Sequence, residues 1–266
     1  MAAKRRVDQA LVDIGMAADL EEAKRLVMAA KVLSRGQLVM QPSQLVGDED
    51  DLALIPDPKY VSRGGEKLQA AFDQFSLSVT GKVCADIGAS TGGFTDCLLQ
   101  GGAARVFAID VGYGILDWRI RNHPLVEVLE RTNARSVEQL PDPVDFFTAD
   151  VSFISLKKIL PAASGWFSEI GGQAVVLIKP QFEATREEAA KGSGVIQDPE
   201  IHQRILLEVL DFAAEHQFQT LGLIRSPLSG PAGNTEFLAW LEFPGVKNNK
   251  ENIQGFISSL FSNQKG

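Results

Sequence analysis

Two cysteines in 266 residues are too few for a disulfide framework, and Cys84 and Cys97 lack metal-ligand spacing. Reduced, buried thiols are the expected state. Histidine is equally scarce: His123, His202 and His216 are scattered, so neither a metal site nor a histidine-based triad is expected. No uncharged apolar stretch approaches the ~18 residues of a membrane span. The N-terminal MAAKRRVDQALVD meets charge where a secretory signal would have its apolar run. A soluble, cytoplasmic protein is therefore expected. Excess positive charge is also missing. The net charge of -8 does not announce a nucleic-acid binder, although local patches rather than the sum decide binding.

What is present suits one large or two unequal globular domains: 45% of the residues are hydrophobic and 23% charged. In the first sixty residues Val7, Leu11 and Ile14 fall at helical spacing and Gly15 ends that helix. Asp19 can cap a second helix carrying Ala23, Leu26 and Val27. QLVM and DLALI then read as short strands. Residues 1–58 are expected to form a small α+β domain. The segment 59–66, within a stretch rich in proline and glycine, is expected to be a linker.

Beyond it strand and helix patterns alternate, from KVCADIG through ARVFAID, VEVLE, VDFFTADVSF and QAVVLIKP to FQTLGLIRSPL and EFLAWLEF. Such alternation predicts an α/β domain over 67–246 with a doubly wound sheet and helices on both faces. SGPAGNT is short enough for a hairpin, which makes the last strand antiparallel. In the tail, 247–266, Ile253, Phe256, Ile257, Leu260 and Phe261 form the apolar stripe of a docking helix.

Residues 82–96 read KVCADIGASTGGFTD, a strand that ends in a glycine-rich loop. Gly88, Gly92 and Gly93 let the backbone turn sharply and approach a ligand, although a tight strand-to-helix connection can look the same. The order Gly-x-x-x-Gly-Gly is not the Gly-x-Gly-x-x-Gly of a dinucleotide fingerprint, which argues against NAD.

Ligands of doubly wound sheets lie off the carboxyl ends of the parallel strands. Asp110 ends FAID, Asp150 lies toward the end of DFFTAD, and Lys179 ends VVLIK. Glu236 begins the antiparallel strand and Lys67 lies in the helix before the first strand, so both are expected at the same edge. Each alone reads as an ordinary solvated charge. Lys179, however, sits between AVVLI and Pro180, an awkward place for a charge without a partner.

The segments VSRGGEKL, DIGASTGGFTD, TADVSFISL, LIKPQFE and GNTEF resemble the haemolysin A (TlyA) family over nearly the whole chain. That family joins an S-four-type RNA-binding domain to an FtsJ-like class I methyltransferase domain with a seven-stranded sheet. The resemblance implies S-adenosylmethionine as cofactor, ribosomal RNA or ribosomal subunits as partner, and ribose 2'-O-methylation as activity. It implies a catalytic tetrad of Lys67, Asp150, Lys179 and Glu236. It carries cofactor contacts onto Asp86, Gly88, Gly92, Gly93, Phe94, Asp110, Asn133 and Asp150. Asn133 replaces the acid that FtsJ-like enzymes often have, and KVLSRGQLVMQP is a looser match to the family's turn and strand. Between residues 1 and 35 seven basic residues face five acids. Arg5, Arg6, Lys24, Arg25, Lys31 and Arg35 are the expected RNA contacts.

The chemistry suits these residue types. Methyl transfer from a sulfonium is an in-line displacement, so the protein supplies orientation and electrostatics. Lys179 can accept the hydroxyl proton, or remain charged and stabilise the developing alkoxide. The rival readings are a non-catalytic RNA-binding protein that retains the fold, a membrane-lytic protein, and a dehydrogenase. Loss of a tetrad member would favour the first, and none is lost. No membrane-spanning pattern supports the second, and the glycine order disfavours the third.

Overall fold

The computed structural model describes residues 4–245 and 250–262. The chain divides into two compact units, Met1–Pro58 and Lys59–Gly266. In the first, β1 (Arg5–Arg6) leads into α1 (Val7–Asp13) and α2 (Leu20–Met28), followed by β2 (Val32–Ser34), β3 (Gln37–Leu38), β4 (Leu45–Val46) and β5 (Leu52–Leu54). The α2 cap is the expected one, with Glu22 N–H donating to Asp19 Oδ1 at 2.8 Å. Val7, Leu11, Ala23 and Val27 from the two helices meet Val32, Val46 and Leu52 in one small core.

Five short strands stand where the sequence suggests two. β1 pairs with β4, while β2 pairs with both β3 and β5, all antiparallel. Strands of two or three residues are too short to show a period of two, so no local pattern announces them.

The second unit begins earlier than expected. Residues 59–66 are not a free linker: Tyr60 is buried, Val61 N–H donates to Asp96 Oδ2 at 2.8 Å, and α3 (Gly64–Phe75) already starts inside the segment. A buried aromatic ring outweighs the loop-forming tendency of the neighbouring prolines and glycines.

The sheet elements follow as β6 (Val83–Ile87), α4 (Gly93–Gln100), β7 (Arg105–Ile109), α5 (Trp118–Arg121), β8 (Val126–Leu129), β9 (Phe146–Ala149), α6 (Leu160–Ser164) and β10 (Gly172–Ile178). After β10 the chain forms α7 (Pro180–Glu183), α8 (Arg186–Lys191), α9 (Pro199–Glu215), β11 (Gln219–Arg225), β12 (Phe237–Phe243) and α10 (Lys250–Ser262). The sheet order is β11-β12-β10-β9-β6-β7-β8. β12 runs antiparallel to both neighbours, and the other adjacent pairs are parallel. This is the doubly wound α/β sheet with an antiparallel last strand that the alternating pattern predicts.

Successive residues of each strand face opposite layers. Cys84, Phe146, Val175 and Leu177 join a core with Leu68 and Phe72 of α3 and Leu98 of α4. Ala85, Phe147, Ala174 and Val176 face α6, α9 and α10 on the other side. Both cysteines are buried free thiols, and burial pushes each up to about 12. Within the tail, residues 250–262 are described. Ile253 and Ile257 of α10 are buried, with Phe256, Leu260 and Phe261 packed beside them. Residues 246–249 and 263–266 of the expected domain end and tail lie outside the described residues.

Candidate active site

The carboxyl edge of the parallel strands is built by close backbone approach. Gly88 follows β6 with φ +83°, and a Cβ there would lie 2.5 Å from the Asp150 carbonyl oxygen, so only glycine lets the β6 and β9 turns touch. Gly92, at φ +96°, turns the chain into α4.

The first loop then wraps the end of β7. Asp110 accepts from Ser90 N–H at 2.8 Å and from Gly112 N–H at 2.6 Å, which fixes the carboxylate between two loops. Two such bonds leave about half of its lone-pair sites available to hydroxyl donors. Asn133 caps a short turn through its side-chain oxygen, with Arg135 N–H at 3.2 Å. Its amide nitrogen makes no hydrogen bond among the described residues, so two donors remain for a ligand.

A cavity of about 510 Å³ opens here. Gly88, Asp110, Asn133 and Asp150 supply polar groups, and Ile109, Ile115 and Ile154 supply apolar wall. Its volume and mostly apolar lining suit a nucleoside-bearing small molecule. A second cavity, of about 260 Å³, is lined by Ser62, Arg63, Lys67, Phe94 and Pro231. Gly88, Ser90 and Asp150 line both.

The four expected catalytic residues form two ion pairs. Lys67 Nζ donates to Glu236 Oε2 at 2.6 Å, and Lys179 Nζ lies 2.5 Å from Asp150 Oδ1. Lys67, Lys179 and Glu236 are 8%, 9% and 1% exposed, so each ammonium has the partner that its burial demands. The Lys179–Asp150 contact lacks hydrogen-bond alignment, and Lys179 donates instead to Ser152 Oγ at 3.0 Å. Strand register brings the two pairs side by side: Ile178 of β10 faces Phe237 of β12, which carries the adjacent residues, Lys179 and Glu236, to one edge.

Several of the expected cofactor contacts do not line the larger cavity. Asp86 reaches neither cavity. It is 0% exposed within β6, where Thr95 Oγ1 and Thr148 Oγ1 donate to its two oxygens at 2.6 and 2.9 Å. Burial pushes its carboxyl up to about 6, against the lowering effect of the hydroxyls. It ties β6 to β9 and α4. Gly92 lines neither cavity. Gly93 and Phe94 line the smaller one beside Lys67, because α4 starts behind the glycine loop and points them to that side.

The six expected RNA contacts of the first unit are mostly committed to local acids. Arg5 pairs with Asp13 and Asp48, Arg6 with Asp8, Lys24 with Glu21, Lys31 with Asp57, and Arg35 with Glu49 and Asp50. Arg25 is exposed and makes no ion pair among the described residues. A count of charges does not show which acid each cation meets, and Asp48, Glu49, Asp50 and Asp57 lie beyond residues 1–35.

The sequence reading also missed residues inside its own motifs. Phe153 is 91% exposed at the rim of the larger cavity, in a left-handed backbone conformation with φ +63°. Its ring leans on Phe182, with centroids 5.0 Å apart. Glu183 accepts from Ser155 Oγ and Leu156 N–H at 2.5 and 2.7 Å. The spacing of Lys179 and Glu183, one helical turn, was the available signal.

A family model described as FtsJ-like methyltransferase matches residues 60–243. The 16S/23S rRNA (cytidine-2'-O)-methyltransferase TlyA of Mycobacterium tuberculosis is 44% identical over 245 residues, covering 91% of each chain. Hemolysin A of Brachyspira hyodysenteriae is 39% identical over 239 residues, covering 88% of this chain and 98% of that one. The solved structure of a candidate hemolysin from Streptococcus thermophilus, 40% identical, superposes with a TM-score of 0.72 over 97% of this chain and 96% of that one.

Proposed function

The chain belongs to the FtsJ-like methyltransferase family, in the group that holds TlyA and hemolysin A, and from that premise we propose that it methylates ribose 2'-hydroxyls of ribosomal RNA with S-adenosylmethionine. The observation that carries this reading is the junction of two cavities at Asp150, itself paired with Lys179, while Lys67 of the second lysine-carboxylate pair lines the smaller cavity.

The larger cavity is the cofactor site in this reading. Asp110 would hold the ribose hydroxyls and Asn133 an adenine edge, while Gly88 keeps the floor clear of side chains. When bound, S-adenosylmethionine supplies a methyl group on a positively charged sulfur, ready for displacement by an oxygen in line with it. The smaller cavity would take the acceptor ribose, with Phe153 offering its exposed face to a base that has left its stack.

Of the two roles open to Lys179, the ion pair favours charge stabilisation. An ammonium held by Asp150 has no lone pair for a proton, but it steadies the hydroxyl oxygen as negative charge builds. The hydroxyl proton goes to Asp150, which lines both cavities. Lys67 and Glu236, as a buried pair, hold the acceptor side of the site.

Residues 1–58 serve as the RNA-docking domain in this reading, through exposed cations such as Arg25. Ribosomal RNA as substrate implies action in the cytoplasm.

The test is transfer of labelled methyl from S-adenosylmethionine to purified ribosomal subunits, wild type beside Lys179→Ala, with the RNA digested to locate the label. Label on a ribose, reduced about a hundredfold or more in the variant, is the expected result. No label on either subunit despite cofactor binding would overturn the reading.

A further inference from the structure

The single turn of α7, with Lys179 at its N-terminal flank, grips the site through nearly every side chain. Lys179 reaches Ser152, and Phe182 packs on Phe153. Gln181 Nε2 makes a long contact of 3.5 Å to Glu236 Oε1. Glu183 closes the set with the two short hydrogen bonds from Ser155 and Leu156. Apart from Asp150, the ion-pair partner of Lys179, everything held by Lys179, Phe182 and Glu183 belongs to one loop, residues 151–156, which lines the larger cavity through Val151, Ser152, Phe153 and Ile154.

That loop is not at rest by itself. Phe153 at φ +63° occupies backbone space that costs a bulky residue on the order of 1 kcal/mol or more, and such conformations persist only where surrounding contacts impose them. Its ring is 91% exposed, so burial contributes little. The remaining restraints are the burial of Val151 and Leu156 in the core, the contact with Phe182 and the hydrogen bonds at both ends of the loop. Those at the far end converge on one carboxylate.

We propose that Glu183 is a positioning residue for methyl transfer, holding the 151–156 loop so that Ser152 stays on Lys179 and Phe153 stays at the cavity rim. The role rests on the functional reading above. It needs both oxygens as acceptors, one for a hydroxyl and one for a backbone N–H. An amide offers a single acceptor oxygen and turns its NH2 toward a donor. Glu183 touches neither cavity among the described residues, so its effect is transmitted through the loop.

The test compares wild type, Glu183→Gln, Ser155→Ala and the double variant. It measures turnover on ribosomal subunits and hydrogen exchange across residues 150–158, with thermal melting as a check on folding. For Glu183→Gln the expected result is turnover reduced roughly tenfold to a hundredfold, the scale of an ångström-level misplacement. Faster exchange should be confined to that loop. Ser155→Ala removes one of the two contacts, together with the hydroxyl's own bond from Lys157 N–H, while leaving the acid in place, so it carries the test if Glu183→Gln fails to fold. The effects of the two substitutions should be less than multiplicative in the double variant.

Undiminished turnover in Glu183→Gln, or unchanged exchange in the loop, would overturn the role. So would effects that simply multiply. A wild-type chain that transferred no label would overturn the functional reading itself, and the role with it. A labelling wild type beside an equally active Glu183→Gln would overturn the role alone.

Discussion

Lys67 of α3 and Glu236, the residue before β12, 169 positions apart in sequence, meet at 2.6 Å with almost no access to solvent. A buried pair of this kind is costly to break from one side, because the remaining charge keeps its desolvation penalty and loses its compensation. Glu236 is the more deeply buried partner, so removing the lysine is the harsher experiment.

Lys67→Ala should therefore destabilise the fold by roughly 3–5 kcal/mol, as measured by denaturant unfolding. Lys67→Met combined with Glu236→Leu should recover most of that loss while remaining inactive. A single variant as stable as the wild type would show that Glu236 is solvated or protonated in the folded chain.

Asp110→Asn tests the larger cavity. The amide nitrogen would face one of the two backbone donors that the carboxylate now accepts, from Ser90 and Gly112. An expected loss of about tenfold to a hundredfold in affinity for S-adenosylmethionine, about 1.4–2.7 kcal/mol, can be read by calorimetry. Unaltered affinity would remove Asp110 from the cofactor site.

Phe153 offers a separation of stability from function. Glycine suits a φ of +63° without strain, and the exposed ring forfeits little burial when removed. Phe153→Gly should leave the melting temperature unchanged or slightly higher, by about 0.5–1 kcal/mol of stability at most. It should also raise the KM for ribosomal subunits. An unchanged KM would mean that the ring contacts no substrate.

Asp86 sets a pH dependence. Its folded-state pKa, about 6, lies above the ordinary value of 3.8, so between those values the folded state binds more protons than the unfolded one. Stability from this group is full below about pH 4 and is lost as the pH rises through about 6. Unfolding followed from pH 4 to 7 should show a smaller loss with rising pH in Asp86→Asn than in the wild type. Equal slopes would show that the carboxyl titrates normally.

The basic residues of the first unit divide by their partners. Arg25→Ala should weaken RNA binding across sequences and lower the salt slope by about one. Arg6→Ala should act chiefly on folding, because it strips the bidentate partner from the buried Asp8. Equal salt slopes for wild type and Arg25→Ala would place the RNA-docking face elsewhere.

The strand-loop-helix at DIGASTGG, the alternation behind the doubly wound sheet, the antiparallel last strand and the Asp19 cap were legible in the sequence. Each is encoded by neighbouring residues, through period, turn chemistry or capping. The topology that follows from them also brings Lys67, Asp150, Lys179 and Glu236 to one edge. By itself, then, the sequence determined the sheet, the edge and the residue types gathered there. Tertiary structure alone decided which carboxylate holds which lysine, that Asp86 turns inward to two threonines, that Tyr60 anchors an expected linker, and that local acids take up most of the N-terminal cations. Those outcomes depend on strand register and side-chain packing between residues distant in the chain. No local pattern records them.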